Sequence, residues 1–254
     1  FLSKNKDIDN WFLQIECFDP HEPFHAPKRF KELFPTNYDG PILDWPIYDR
    51  VKETREEISE LKANYAALVT MVDEYFGKLL DYFDRYDLWK DTALILTTDH
   101  GFLLGEHDWW AKNRMPVYNE IAHIPLMIYH PDFKNKAGAR INSLTQTIDI
   151  MPTFLDFFGL DIPSDVSGKS LLNVLKKDNE IRKALIFGYF GSACNITDGE
   201  YTYFRYPEKM SASDLYEYTL MPTRMTSRFS IKELSEMTLS NPFKFSNCLL
   251  YTSD

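Results

Sequence analysis

Apolar positions along the 254 residues fall into two kinds of pattern. Solid runs at 11–18 (WFLQIECF), 92–98 (TALILTT) and 125–130 (PLMIYH) are bounded by polar or proline-containing segments, which predicts buried strands. Between the first two, Ile58, Leu61, Tyr65, Leu68, Val72, Phe76, Leu79 and Phe83 recur at steps of three and four. That spacing puts them on one face of a helix over 51–86. A second helix is expected over 147–158, with Asp149 near its start and Gly159 as its stop, and a shorter one over 170–177. Three short runs, 183–190, 194–198 and 200–206, surround Gly191 and Asp198-Gly199 and predict a small antiparallel unit. From about 211 no period is visible.

Strand, helix, strand, loop, strand, helix is an α/β order with buried strands. The expected architecture is a mostly parallel sheet flanked by helices, followed by a small C-terminal antiparallel sheet. The expected division is 1–180 for the α/β part and 181–254 for a small α+β subdomain and tail. In such sheets ligands sit beyond the carboxyl ends of strands. Two segments meet that condition, 19–25 and 99–112.

Composition narrows the function. Six of the 14 prolines fall within 19–50, so this stretch reads as a long, partly ordered loop, and loops of that length usually carry function. The net charge of −10 is the wrong sign for a sequence-independent nucleic-acid binder. No apolar run is long enough for a membrane span, and no signal peptide is visible. The chain opens at Phe1 without a Met, a few residues before an expected strand, which leaves open a missing upstream segment or a processed or trimmed product. Cys17, Cys194 and Cys248 are too widely spaced for a zinc pattern or a disulfide framework.

The chemistry concentrates where strand 92–98 runs out in Asp99-His100-Gly101. A carboxylate and an imidazole at a strand end can hold a divalent cation. An isolated Asp-His pair more often just closes a turn, but Gly105-Glu106-His107-Asp108, two adjacent Trp, Lys112 and Arg114 follow within fifteen residues. Lys112 and Arg114 are candidate anion binders, one a compact charge and the other a fork of donors. After the first strand, Asp19-Pro20-His21-Glu22-Pro23-Phe24-His25 offers two more histidines on a loop stiffened by proline. His21 is the candidate proton donor to a leaving oxygen; His25 is read as a loop residue without a role. His123 and His130, beside prolines, are read as structural, and Asp73 and Glu74 as solvated helix residues. Asn195-Ile196-Thr197 matches a glycosylation acceptor, a pattern that is frequent by chance.

Taken together, TTDHGFLLGEHDWWAK, NEIAHIPLMIYHP, the helix segment YAALVTMVDEYFGKLL, QTIDIMPTFLDFFGL and DPHEPFHAP resemble the sulfatases of the alkaline phosphatase superfamily. The resemblance runs in order from about residue 11 to 175. It implies an alkaline phosphatase-like fold and a metal-dependent sulfuric ester hydrolase acting on a small-molecule or glycan sulfate ester. It assigns Asp99 and His100 to the second pair of metal ligands, Lys112 to the sulfate group and His21 to the ester's bridging oxygen. His107 and Arg114 are added as candidate substrate contacts. The metal it implies is calcium, although an imidazole ligand leaves manganese or another transition metal open.

The departures are as informative. The family's nucleophile, a formylglycine made from Cys or Ser in C/S-x-P-x-R, has no counterpart here, nor have two adjacent aspartates after an opening strand. The chain therefore resembles the second part of a sulfatase, and by itself is expected to be inactive. DLYEYTLMPTRM stands where the family often has an LYDL-type motif and departs after Leu-Tyr. Two alternatives stay open, a phosphonate monoester or phosphodiester hydrolase of the same superfamily and a non-catalytic fragment. Substrate identity, compartment and oligomeric state are not readable.

Overall fold

The computed structural model describes residues 1–112, 116–177, 179–189, 192–208, 216–217, 228–236 and 243–244. Two compact units divide the chain, Phe1–Leu185 and Ile186–Asp254. The first holds α1 (Leu2–Asn5), α2 (Lys28–Lys31), α3 (Arg55–Arg85), β1 (Leu94–Thr97), β2 (Leu103–Leu104), β3 (Trp110–Ala111), α4 (Asn119–Ala122), β4 (Leu126–Tyr129), α5 (Ile150–Phe157) and α6 (Leu172–Lys177). The second begins within β5 (Leu185–Gly188) and continues with β6 (Cys194–Thr197), β7 (Thr202–Arg205), β8 (Tyr216–Glu217), α7 (Ile231–Glu236) and β9 (Phe243–Lys244).

The helix α3 is the spine of the first unit. Its start is fixed by a capping box: Thr54 accepts from the Glu57 N–H at 3.3 Å, and the Glu57 carboxylate accepts from the Thr54 N–H at 2.7 Å. That reciprocal pair moves the helix start from the expected 51 to Arg55. Its 31 residues span about 46 Å at 1.5 Å per residue, long enough to serve two separate cores. Near its N-terminal end, Leu61 packs with Trp110 and Ala111, and Ile58, Phe102, Leu43 and Tyr48 close around them. Near its C-terminal end, Phe83 packs with Leu2 and Leu88, joined by Leu79, Trp89 and Leu94 of β1. The first core lies under the loops that carry the candidate chemistry, so α3 ties those loops to the rest of the unit.

Strands 92–98 and 125–130 form as β1 and β4. They pair with each other antiparallel, Leu94 opposite Tyr129 and Thr97 opposite Leu126. The reason is connectivity. The chain leaves β1 at Thr97 and re-enters at the same edge at Pro125, whose carbonyl accepts from the Thr97 hydroxyl at 2.9 Å. A parallel partner would require a crossover to the far end of the sheet. Residues 11–18, expected as a strand, have no ladder partner among the described residues and leave Phe12, Ile15 and Phe18 exposed. A solid apolar run marks a segment meant for burial, but ladder hydrogen bonds need a neighbour, and the described chain places none beside it.

In the second unit the antiparallel expectation holds. The sheet order is β5-β6-β7, with Cys194 opposite Arg205 and Thr197 opposite Thr202. The hairpin turns at Asp198-Gly199, where Gly199 has φ 96° and the Asp198 carboxylate accepts from the N–H groups of Glu200 and Tyr201. Of DLYEYTLMPTRM, only Tyr216 and Glu217 lie within the described residues, where β8 pairs antiparallel with β9. Asn195 is fully buried on β6, so the glycosylation pattern there is closed off in the folded state.

Candidate active site

The loop after residue 18 brings His21 to a buried cation. Lys112 Nζ lies 2.5 Å from His21 Nε2, across 91 residues of sequence. The other ring nitrogen, Nδ1, donates to the Glu22 carbonyl at 2.7 Å. With Nδ1 carrying the proton, Nε2 presents a lone pair, and the ammonium of Lys112 donates to it. Lys112 is only 2% exposed, far from the surface cation that its type alone would suggest.

Two residues without a sequence signal complete the cluster. Glu22 is fully buried, with Oε1 3.9 Å from Lys112 Nζ and Oε2 3.5 Å from His21 Nδ1. The Tyr48 hydroxyl, from the proline-rich loop, donates to Glu22 Oε1. In the sequence Glu22 stands between His21 and Pro23 with no pattern of its own. The only hint was an acidic residue next to a histidine singled out for proton transfer.

Lys112 follows a loop that is held under strain. His107, Asp108 and Ala111 have φ of 55°, 64° and 74°, a left-handed region costing non-glycine residues on the order of 1–3 kcal/mol each. The segment 49–53 enforces it. Val51 N–H donates to the Asp108 carbonyl at 3.1 Å, Trp110 N–H to the Asp49 carbonyl at 3.0 Å, and the Trp110 indole to the Glu53 carboxylate at 2.7 Å. Arg50 stacks over Trp109 at 4.8 Å and pairs with Asp108 at 3.1 Å. The adjacent Trp pair is thus a clamp: one ring is buried in the α3 core and the other caps the surface.

Asp99 and His100 sit at the end of β1. Asp99 Oδ1 accepts from the His100 N–H at 2.9 Å and from the Thr98 hydroxyl at 3.2 Å, while Oδ2 lies 3.5 Å from His100 Nε2. Partial desolvation pushes the Asp99 carboxyl up. His100 and those donors outweigh it and hold the group below its usual range. His100 Nδ1 donates to the Gly101 carbonyl at 2.9 Å, so Nε2, on the Asp99 side, is the nitrogen a cation would take in place of a proton. Gly101 is required for a close approach: a Cβ there would stand 1.8 Å from the Glu120 carbonyl oxygen of α4. Among the described residues no three His, Cys, Asp or Glu side chains group to hold a metal, so this pair fits half a site.

The remaining candidates divide. His107 stacks face to face on Tyr118 at 3.8 Å and contacts the Glu120 carboxylate at 3.2 Å. Arg114 lies outside the described residues. His130 is buried, its pKa lowered by that burial, and its Nδ1 accepts from the Asp132 N–H, as suits a structural histidine. Phe24, two residues beyond Glu22, meets Phe102, two residues beyond His100, edge to face at 5.4 Å. Phe102 and Trp110 share the core under α3. The loops bearing His21, Asp99-His100 and Lys112 are therefore anchored through neighbouring aromatic residues.

These features match a known class. The sulfatase family model matches residues 1–160, and one described as N-sulphoglucosamine sulphohydrolase, C-terminal, matches 105–241. The chain belongs to the sulfatase family of the alkaline phosphatase superfamily. It is 39% identical over 131 residues to an N-acetylglucosamine-6-O-sulfatase of Bacteroides thetaiotaomicron, covering 50% of this chain and 23% of that protein. Among solved structures it resembles one in complex with its substrate D-glucosamine-2-N,6-O-disulfate, with TM-score 0.52 and 32% identity over 57% of this chain and 31% of that one. It also resembles a phosphonate monoester hydrolase from Silicibacter pomeroyi, with TM-score 0.55 and 29% identity over 61% of this chain and 34% of that one. The fold is alkaline phosphatase-like. The chain spans between 23% and 42% of the length of the first curated relatives it matches.

Proposed function

We propose that residues 1–180 are part of a sulfatase catalytic domain, that 181–254 form its small C-terminal subdomain, and that the substrate is the sulfate ester of a sugar. The carrying observation is the contact of His21 Nε2 with the buried ammonium of Lys112 at 2.5 Å. Two functions follow from it. Lys112 offers a desolvated positive charge to sulfate oxygens, where electrostatic stabilisation is strong. His21 Nε2 stands beside that charge, placed to hold the proton that the leaving alkoxide takes. The relatives with sulfated amino sugars in their names support the sugar ester. Asp99 and His100 would hold one side of a divalent cation, calcium in this reading. Such a cation, when bound, polarises the ester oxygens and lowers the pKa of a hydroxyl nucleophile. His107 and Arg114 remain proposed substrate contacts.

No C/S-x-P-x-R occurs in the chain, so these 254 residues alone are expected to turn over no aryl sulfate. Binding is the direct test. Inorganic sulfate should perturb the His21 imidazole resonances of the pure chain, and Lys112→Ala should shift that response to about 10- to 100-fold higher sulfate. Sulfate that binds equally well to Lys112→Ala would sink the assignment. The phosphonate hydrolase relative supports the second reading, and phosphate displacing sulfate at a much lower concentration would favour it.

A further inference from the structure

We propose that Glu22 is a positioning residue of the site: its buried carboxylate holds the Lys112 ammonium against His21 and favours the charged form of the imidazole. This rests on the reading of His21 and Lys112 given above and adds a residue to it.

The argument begins with charge. Lys112 and His21 stand 2.5 Å apart, and a protonated His21 would put two positive charges in contact. Like charges that close exclude one another unless an anion compensates. Glu22 lies 3.9 Å from the ammonium and 3.5 Å from His21 Nδ1, with only 1% of its side chain exposed. Screening by water is weak there. Glu22 and Lys112 are charged groups that face His21, whose ring also rests on Phe18 at 4.6 Å.

Hydrogen bonding adds a second, independent sign. Glu22 Oε1 accepts from Tyr48, but Oε2 is buried with no hydrogen-bond partner. A buried carboxylate oxygen left in that state calls for an explanation. Oε2 is also the oxygen nearest His21 Nδ1. The neutral imidazole uses its Nδ1 proton on the Glu22 carbonyl. An imidazolium keeps that bond and gains the attraction of Oε2, so the free oxygen becomes useful only when His21 is charged. Tyr48 fixes the other oxygen and thereby aims this one.

The two roles predict opposite responses to one substitution. Glu22→Gln keeps the shape and the Tyr48 contact but removes the negative charge. The His21 imidazolium should weaken about tenfold, a fall of about one unit in its midpoint. At a pH where His21 carries the same charge in both proteins, sulfate should bind more tightly to the variant, because the pocket is more positive there. In an assembly that turns over, the same variant should lower kcat while lowering KM. Lys112→Gln should move the His21 midpoint upward, because the carboxylate then faces the imidazolium alone.

The experiment is an NMR titration of the His21 ring in the 254-residue chain, with and without inorganic sulfate, for the parent, Glu22→Gln and Lys112→Gln. A lowered midpoint in the first variant and a raised one in the second support the inference. An unmoved midpoint in a folded Glu22→Gln overturns it. If that variant does not fold, Lys112→Gln decides alone, and a midpoint that fails to rise overturns the inference. Midpoints that move as stated while sulfate binds none of the proteins leave Glu22 in its role and refute the sulfate assignment instead.

Discussion

Among the described residues of the first unit two carboxylates are fully buried, Asp149 and Glu22, and their surroundings differ sharply. Asp149 is saturated. Its oxygens accept from the Gln146 and Lys169 N–H groups at 2.8 Å each and from both terminal nitrogens of Arg182 at 2.5 Å. Its own carbonyl takes the Thr153 hydroxyl, which in turn accepts from the Leu171 N–H. Three sequence-distant segments are tied together there, and nothing is left over. Glu22 has one hydrogen-bond donor, two cation-capable neighbours and an idle oxygen. Where every lone pair is filled, the group builds architecture. Where one is left open beside a titratable ring, its charge is available to change with the chemistry.

The largest effect that could break this comparison is on stability. Arg182→Met strands the Asp149 charge in the interior and should cost about 3–5 kcal/mol, read from urea unfolding. The pH profile gives the sign. Desolvation raises the Asp149 carboxyl, but Arg182 and the two backbone donors outweigh it and hold the carboxyl below its ordinary 3.8. A depressed carboxylate contributes stability above its unfolded pKa and loses it as pH falls through the folded value. The parent should therefore weaken below about pH 4. Arg182→Met should have lost that contribution already and should show a shallower acid limb. An unchanged unfolding midpoint would make the Asp149 cluster no more architectural than Glu22.

The next effect sharpens the other side. Lys112→Ala should weaken inorganic sulfate binding about 10- to 100-fold, the value of a hydrogen bond between charged groups. Its stability cost should be smaller than that of Arg182→Met, about 1–2 kcal/mol, because the Lys112–Glu22 contact is long at 3.9 Å. Calorimetry and unfolding on the same sample separate the two numbers. A loss of stability with sulfate binding intact would move Lys112 into the architectural class.

How much of this was legible in the sequence follows from the range over which each contact acts. Helix α3 was readable because its signal is periodic and local, and only its first turn needed the capping box. His21, Asp99, His100 and Lys112 were singled out as residues of reactive type at strand ends and by their resemblance to a family. The resemblance brings His21 and Lys112 to one ester, but their direct contact carries no local signal, because 91 residues separate them. The sequence places Asp149 at a helix start, but Arg182 lies 33 residues later with no pattern linking the two. Tyr48 and Glu22 were missed for the same reason: a single buried pair has no period. The solid run 11–18 showed a wish for burial without naming the strand that would satisfy it.

The smallest effect concerns the metal half-site, and its weakness is itself the expectation. Calcium wants about six to eight oxygen ligands, and Asp99 with His100 supplies one carboxylate and one imidazole. Asp99 is 81% exposed at the side chain, so its charge is screened by water before any cation arrives. The tautomer of His100 suits a metal, which favours binding over none. An affinity near the millimolar end of known calcium modules follows. At 1 mM calcium and a Kd of about 1 mM, the gain in stability is RT ln 2, about 0.4 kcal/mol. For a chain of this size that moves the thermal midpoint by only about 1–2 °C. Asp99→Ala should erase the shift, and Lys112→Ala should leave it in place, since no contact joins Lys112 to Asp99 among the described residues. A calcium Kd in the micromolar range, lost in Asp99→Ala, would show that further ligands already surround this pair. The contrast between a saturated and an open carboxylate would then have to admit Asp99 as a third kind, completed only by the ion.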